Sequence, residues 1–172
     1  MWSFPIVAAE IPQAGRHFEL RADEPTRAAV AALADLSAVV RLEARFDVRR
    51  HGADGLHVTG IVSATVGQIC VVSLEPMESE IEEGVDVVFV TEMPHAVSGH
   101  AAGVADTEAG PEPLVDGRID LGALATEFLV LGIDPHPRKP EAVFEHPAVR
   151  EDADEHPFAA LAALKKDAGA ER

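Results

Sequence analysis

The stretch 56–76, LHVTGIVSATVGQICVVSLEP, runs for twenty-one residues with Glu75 as its sole formal charge. A run of about 20 apolar residues is long enough to span a bilayer as a helix. Its own residues argue against that: His57, Thr59, Ser63, Thr65, Gln68 and Ser73 interrupt it, Gly60 and Gly67 divide it, and Val, Ile and Thr dominate. These are strand formers. Just before it, residues 41–50 alternate strictly, with Leu42, Ala44, Phe46 and Val48 on one side and Arg41, Glu43, Arg45, Asp47 and Arg49 on the other. That is the pattern of a half-buried strand. The link 51–55, with its Asp-Gly pair and two glycines, predicts a hairpin. Residues 79–91 are again β-rich, so an antiparallel meander is expected, with turns near 52–55 and 74–78 and the long segment at its centre.

The flanks add short elements. Two brief strands are expected at 3–8 and 17–21, and Asp23 followed by Pro25 reads as the cap and first turn of a helix over about 24–36. From 92 to 117 periodicity disappears among glycines, prolines and acidic residues, which predicts a long mobile loop. Asp120 is a natural N-cap for a second helix carrying Leu121, Leu124, Ala125, Phe128, Leu129 and Leu131, stopped by Gly132 and the prolines that follow. The expected fold class is α+β: an antiparallel sheet or partly closed barrel covered by two helices, with a long acidic loop and a short C-terminal helix. The expected organisation is one domain over 1–150, then a linker and amphipathic segment over 151–172.

Charge is unevenly distributed. The total is −16, yet residues 1–50 hold seven acidic and seven basic side chains, whereas 51–117 hold twelve acidic ones and neither Lys nor Arg. Such a field repels phosphate backbones and attracts cationic partners. Extensive RNA binding is therefore disfavoured. The single cysteine, Cys70, and an N-terminus without a basic leader pattern give the expectation of a cytoplasmic protein.

Motifs for chemistry are sparse. The eight histidines form no HxxxH or HExxH pair, and one thiol is too few for a cysteine-based zinc site, so no metal and no cofactor is expected. There is no GxSxG, Walker or GxGxxG loop. Cys70, inside an apolar β-segment, is expected to be an inert core filler with a raised pKa. The enzymatic alternative is a small thiol-dependent hydrolase pairing Cys70 with a histidine. Two features favour interaction instead. Arg138 and Lys139 form a basic knob between Pro137 and Pro140, either a contact for phosphate or an acidic partner or a solvated loop, and Pro157, Phe158, Leu161, Leu164 and Lys165 form a terminal amphipathic segment, either docked on the domain or a hook for a partner.

The order of these segments resembles a known family. Cys70-Val-Val-Ser-Leu74-Glu75-Pro76, then Asp116-Gly-Arg-Ile-Asp120-Leu121 opening a helix, then Pro135-His-Pro-Arg138-Lys139-Pro140, then Pro157-Phe158 with Leu161, Leu164 and Lys165, are similar to the bacterial YceD family of large ribosomal RNA subunit accumulation proteins. The resemblance covers roughly 40–166. It implies a non-enzymatic ribosome-biogenesis factor that supports accumulation of large-subunit ribosomal RNA. Combined with the acidity, it points to a basic ribosomal protein or a large-subunit assembly intermediate as partner, with weak or indirect RNA contact and no membrane. Many relatives carry Cys-x-x-Cys at the central turn and further cysteines after the later helix; here Ser73 stands at the second position and no later cysteine exists.

Overall fold

The computed structural model describes residues 2–52, 54–91 and 110–144. The stretch Met1–Pro140 forms one compact unit and Glu141–Arg172 a second. In the first, the elements run β1 (Pro5–Val7), a 3₁₀ turn (Ala8–Glu10), β2 (Arg16–Arg21), α1 (Glu24–Leu33), β3 (Ala38–His51), β4 (Gly55–Ile69), β5 (Pro76–Val90), β6 (Glu112–Pro113), β7 (Arg118–Asp120) and α2 (Leu121–Leu131). The main sheet has the order β2-β3-β4-β5-β6, and β1 pairs with β7 in a separate ribbon.

β4 is the middle strand, as its apolar run predicts. It pairs antiparallel with β3 from His51↔Gly55 to Ala38↔Gly67, and on its other side with β5 from Leu56↔Phe89 to Ile69↔Pro76. Side chains on one face of each ladder line up across the sheet: Leu42, Ala64 and Ile81 in one row, Val48, Val58 and Val87 in another. All are buried in one core cluster with Val30 of α1 and Leu121, Leu124, Ala125 and Leu129 of α2. α1 packs on β3, and α2 on β4 and β5. In the row Phe46, Gly60, Val85 the glycine is obligatory. A Cβ there would stand 2.7 Å from the Phe46 ring and 2.1 Å from the Arg45 carbonyl oxygen, so Gly60 leaves the space that Phe46 fills.

Both helix caps form as the sequence predicts. Asp23 accepts from the Thr26 N–H at 3.0 Å, with Pro25 in the first turn. Asp120 accepts from Gly122 and Ala123 at 2.9 and 3.0 Å. α1 ends at Leu33, three residues short of the expected 36, where Asp35 takes a positive φ of 54° and turns the chain into β3.

Three expectations need correction. The sheet is open, not closed into a barrel, and it is not wholly antiparallel, because β6 joins β5 in parallel. The expected loop 92–117 contains order at its end: Glu112 and Pro113 pair with Phe89 and Val90, and Leu114 is buried. Two residues of strand within a Pro-rich acidic stretch have no periodicity to detect. The turn after β4 is also earlier than expected, so Cys70 lies in it, just beyond the strand. Residues 92–109 and the expected C-terminal helix lie outside the described residues.

Phe46 is fully buried at the centre of this core. Phe46→Ala removes a large ring from a packed interior and is expected to cost about 3–5 kcal/mol, read from the urea midpoint. A loss below about 1 kcal/mol would show that the core is not built around it.

Candidate interaction surface

Three places in the described residues gather functional side chains: the turn after β4, the start of α2, and the outer face of the sheet. The first is a knot. Cys70 N–H donates to the Glu75 carbonyl and Leu74 N–H to the Cys70 carbonyl, both at 2.9 Å, with Leu74 at a φ of 59°. The segment after α2 then closes on this turn. Val71 N–H donates to the Pro137 carbonyl at 2.9 Å, Lys139 Nζ reaches Glu75 Oε2 at 2.7 Å, and Gln68 Nε2 donates to the Asp134 carbonyl at 2.9 Å. At its centre is the Cys70 sulfur, which accepts backbone N–H groups from Ser73 and Lys139, each at 3.4 Å.

That arrangement corrects the expected chemistry of Cys70. Burial of the fully enclosed thiol works against ionisation, but the donors from Ser73 come first, followed by the Lys139 N–H, and together they lower its pKa to about 6. The sulfur is also inaccessible to solvent. Among the described residues no histidine hydrogen-bonds to it, so no base stands ready to support a nucleophile. The same lysine's ammonium group lowers the pKa of Glu75 through its hydrogen bond and charge.

A metal site at this turn, which the cysteine pattern of the family resemblance implies, does not fit these residues. Zinc needs four donors of the thiolate, imidazole or carboxylate kind. Here Ser73 replaces the second thiolate and the Lys139 backbone occupies the approach from the other loop. Among the described residues no three His, Cys, Asp or Glu side chains converge to hold an ion.

At the second place, Asp120 joins the ribbon to α2. Beyond its two helical donors it accepts from the Ser3 hydroxyl at 2.5 Å and the Phe4 N–H at 2.7 Å. Partial burial opposes its charge, yet these four donors keep its pKa below the usual carboxylate value. Gly122 lets the chain near Trp2 and Ser3 cross the helix start, where a Cβ would come within 2.9 Å of their backbone. Leu121, fully buried, anchors that turn in the core.

The third place is the outer sheet face, a shallow concavity of about 530 Å³ lined by Arg41, Glu43, Arg45, Asp47, Glu80 and Glu82. Arg41 Nη2 donates to Glu80 Oε2 at 2.8 Å, and the Thr65 hydroxyl donates to Glu80 Oε1 at 2.7 Å. The Thr65 bond, with Arg41 beside it, lowers the pKa of Glu80. Further along, His57 Nε2 is 2.6 Å from Asp86 Oδ1. These pairs offer charge and hydrogen bonds.

Of the residues singled out in the sequence, the structure brings together Cys70, Leu74, Glu75, Pro76, Arg138 and Lys139. Lys139 is half-buried and bound to Glu75, Arg138 is exposed, and Leu74 is exposed. Asp120 and Leu121 sit apart from this knot, at the head of α2. Pro157, Phe158, Leu161, Leu164 and Lys165 lie outside the described residues. Sequence reading placed Arg41, Glu43, Arg45 and Asp47 on the outer face but missed the contribution of β5, although the alternation of Glu78, Glu80 and Glu82 was a signal for it.

The geometry defines a class first: an α+β protein with an open, acidic sheet and a loop knot held by hydrogen bonds and one ion pair. The chain matches the family described as Large ribosomal RNA subunit accumulation protein YceD over residues 58–165, more than half its length, and it belongs to that family. No curated protein and no solved structure matches it. No helix among the described residues is long and apolar enough to cross a membrane.

The sign of the Cys70 shift fixes a pH window. A folded pKa lowered from 9.0 to about 6 favours the folded state fully above the unfolded value, and that contribution disappears as pH falls through the folded one. The thiolate ultraviolet absorbance of native protein should therefore vanish on acidification with a midpoint near 6. Iodoacetamide should label the sulfur slowly at neutral pH until the chain is unfolded. Rapid native labelling, or a midpoint at the ordinary thiol value, contradicts the buried, donor-stabilised thiolate.

Proposed function

We propose that this chain acts without catalysis, as a ribosome-biogenesis factor that supports accumulation of large-subunit ribosomal RNA by binding a basic ribosomal protein or an assembly intermediate. Family membership supports the rRNA role, because the family is described by an accumulation effect and not by a reaction. The observation that carries the partner's chemistry is the charge of the sheet. From Gly55 to Val90, β4, its turn and β5 hold six acidic side chains and neither Lys nor Arg, and the exposed face of β5 presents Glu78, Glu80, Glu82 and Asp86. A surface of that sign disfavours the phosphate backbone and speeds encounter with a cationic protein. Arg138, and beyond the described residues Lys165, are left for local RNA contact at most. Work in the cytoplasm, where such partners are made, agrees with the reading.

The hydrolase alternative gains no observation, since Cys70 Sγ is enclosed and no histidine among the described residues is hydrogen-bonded to it. Affinity capture from lysate with and without RNase tests the proposal. A basic large-subunit protein or precursor particle retained after RNase is expected, and its release should rise with salt. Capture that depends wholly on intact RNA, or that yields no ribosomal component, would contradict it.

A further inference from the structure

Among the described residues, the edge of β5 away from β4 is unpaired over most of its length. β6 covers Phe89 and Val90, and among the described residues β5 from Pro76 to Val88 receives ladder hydrogen bonds from β4 alone. Two observations show which residues face outward. The Val90 carbonyl accepts from the Leu114 N–H at 2.8 Å on the β6 side, whereas the Phe89 carbonyl points toward β4, 2.6 Å from where a Gly55 Cβ would stand. The β4–β5 register has no bulge. Strand residues alternate in the direction of their N–H and C=O groups, so Glu78, Glu80, Glu82, Gly84, Asp86 and Val88 turn theirs to the open edge.

The same even-numbered residues place their side chains on the outer face, in the rows of Thr65 with Glu80, Ser63 with Glu82 and Thr59 with Asp86. Backbone sockets and carboxylates therefore coincide. Glu78 and Glu82 are exposed and have no ion-pair or hydrogen-bond partner among the described residues. The odd-numbered neighbours Ile81, Val85 and Val87 lie on the apolar inner face. A strand added here in antiparallel register sets its own outer residues about 4.5–5.5 Å from the acidic ones.

We infer that this edge accepts an extended segment of a basic protein whose cationic and apolar residues alternate, Lys or Arg meeting Glu78, Glu80, Glu82 and Asp86, by addition of a strand to the sheet. The inference rests on the proposed function and specifies its surface. A second copy of this chain is the poorer occupant, because pairing two such edges opposes like charges.

The probe is a capped peptide alternating Lys and Val, long enough to span Glu78 to Asp86, compared with a peptide of the same composition in which the lysines are consecutive. On the full chain the alternating peptide is expected to bind at least about tenfold more tightly. Methylating the backbone nitrogens of its lysines should remove that preference. So should Gly84→Pro, which deletes one edge N–H where a Cβ meets nothing within 4 Å, and the double change Glu78→Lys with Glu82→Lys. Equal binding of the two peptides, or indifference to backbone methylation, would overturn the inference, as would a dimer abolished by Gly84→Pro. If the edge variants still capture the ribosomal component from lysate, the edge assignment fails while the proposed function stands.

Discussion

Everything in this unit depends on β4 being paired on both sides. Its backbone is satisfied by β3 along one edge and β5 along the other, which is what allows so apolar a stretch to be buried without unpaired N–H and C=O groups. Leu56, Val58, Val62, Ala64 and Val66, all fully enclosed, then give the two helices one continuous surface to cover. A strand so long and so apolar is stable only as a middle strand. The polar face of the sheet follows from the same period of two, and with it the position of every charge that a partner would meet.

The knot after β4 solves a different problem. The segment after α2 has prolines and no regular structure of its own, so it needs fixed points. It gains them from the Cys70 sulfur, the Val71 N–H, Glu75 and Gln68. At this turn the chain holds its loops with hydrogen bonds and one ion pair. Lys139 is thus a fastening of the fold as much as a cation, and of the basic pair Arg138 is the more exposed member.

Much of this was legible in the sequence, for physical reasons that differ from place to place. Alternation in 41–50 and the Asp-Gly hairpin determine β3, β4 and their register because a slip by one residue would expose Phe46 and bury Arg45. Asp23 and Asp120 are visible as caps because their side chains act within three residues. Cys70 was misjudged because it was read as mid-strand, whereas β4 ends at Ile69 and the turn aims the donors of Ser73 at the sulfur; the lesser donor, the Lys139 N–H, comes from 69 positions away, a contact that no local pattern encodes. The pairing of Glu112 and Pro113 with β5 was missed for the same reason, and so was the open edge, which is defined by what the other described residues do not cover.

The central claim is that β5 belongs to the sheet on one side and is available on the other. Amide hydrogen exchange of the free protein reads this residue by residue. The amides of Ser79, Ile81, Glu83, Val85 and Val87, turned toward β4, should be protected, while those of Glu78, Glu80, Glu82 and Asp86 exchange as fast as exposed chain. Alternating protection along β5 is the predicted result. Uniform protection of odd and even amides would mean that the edge is already covered, and would contradict the account.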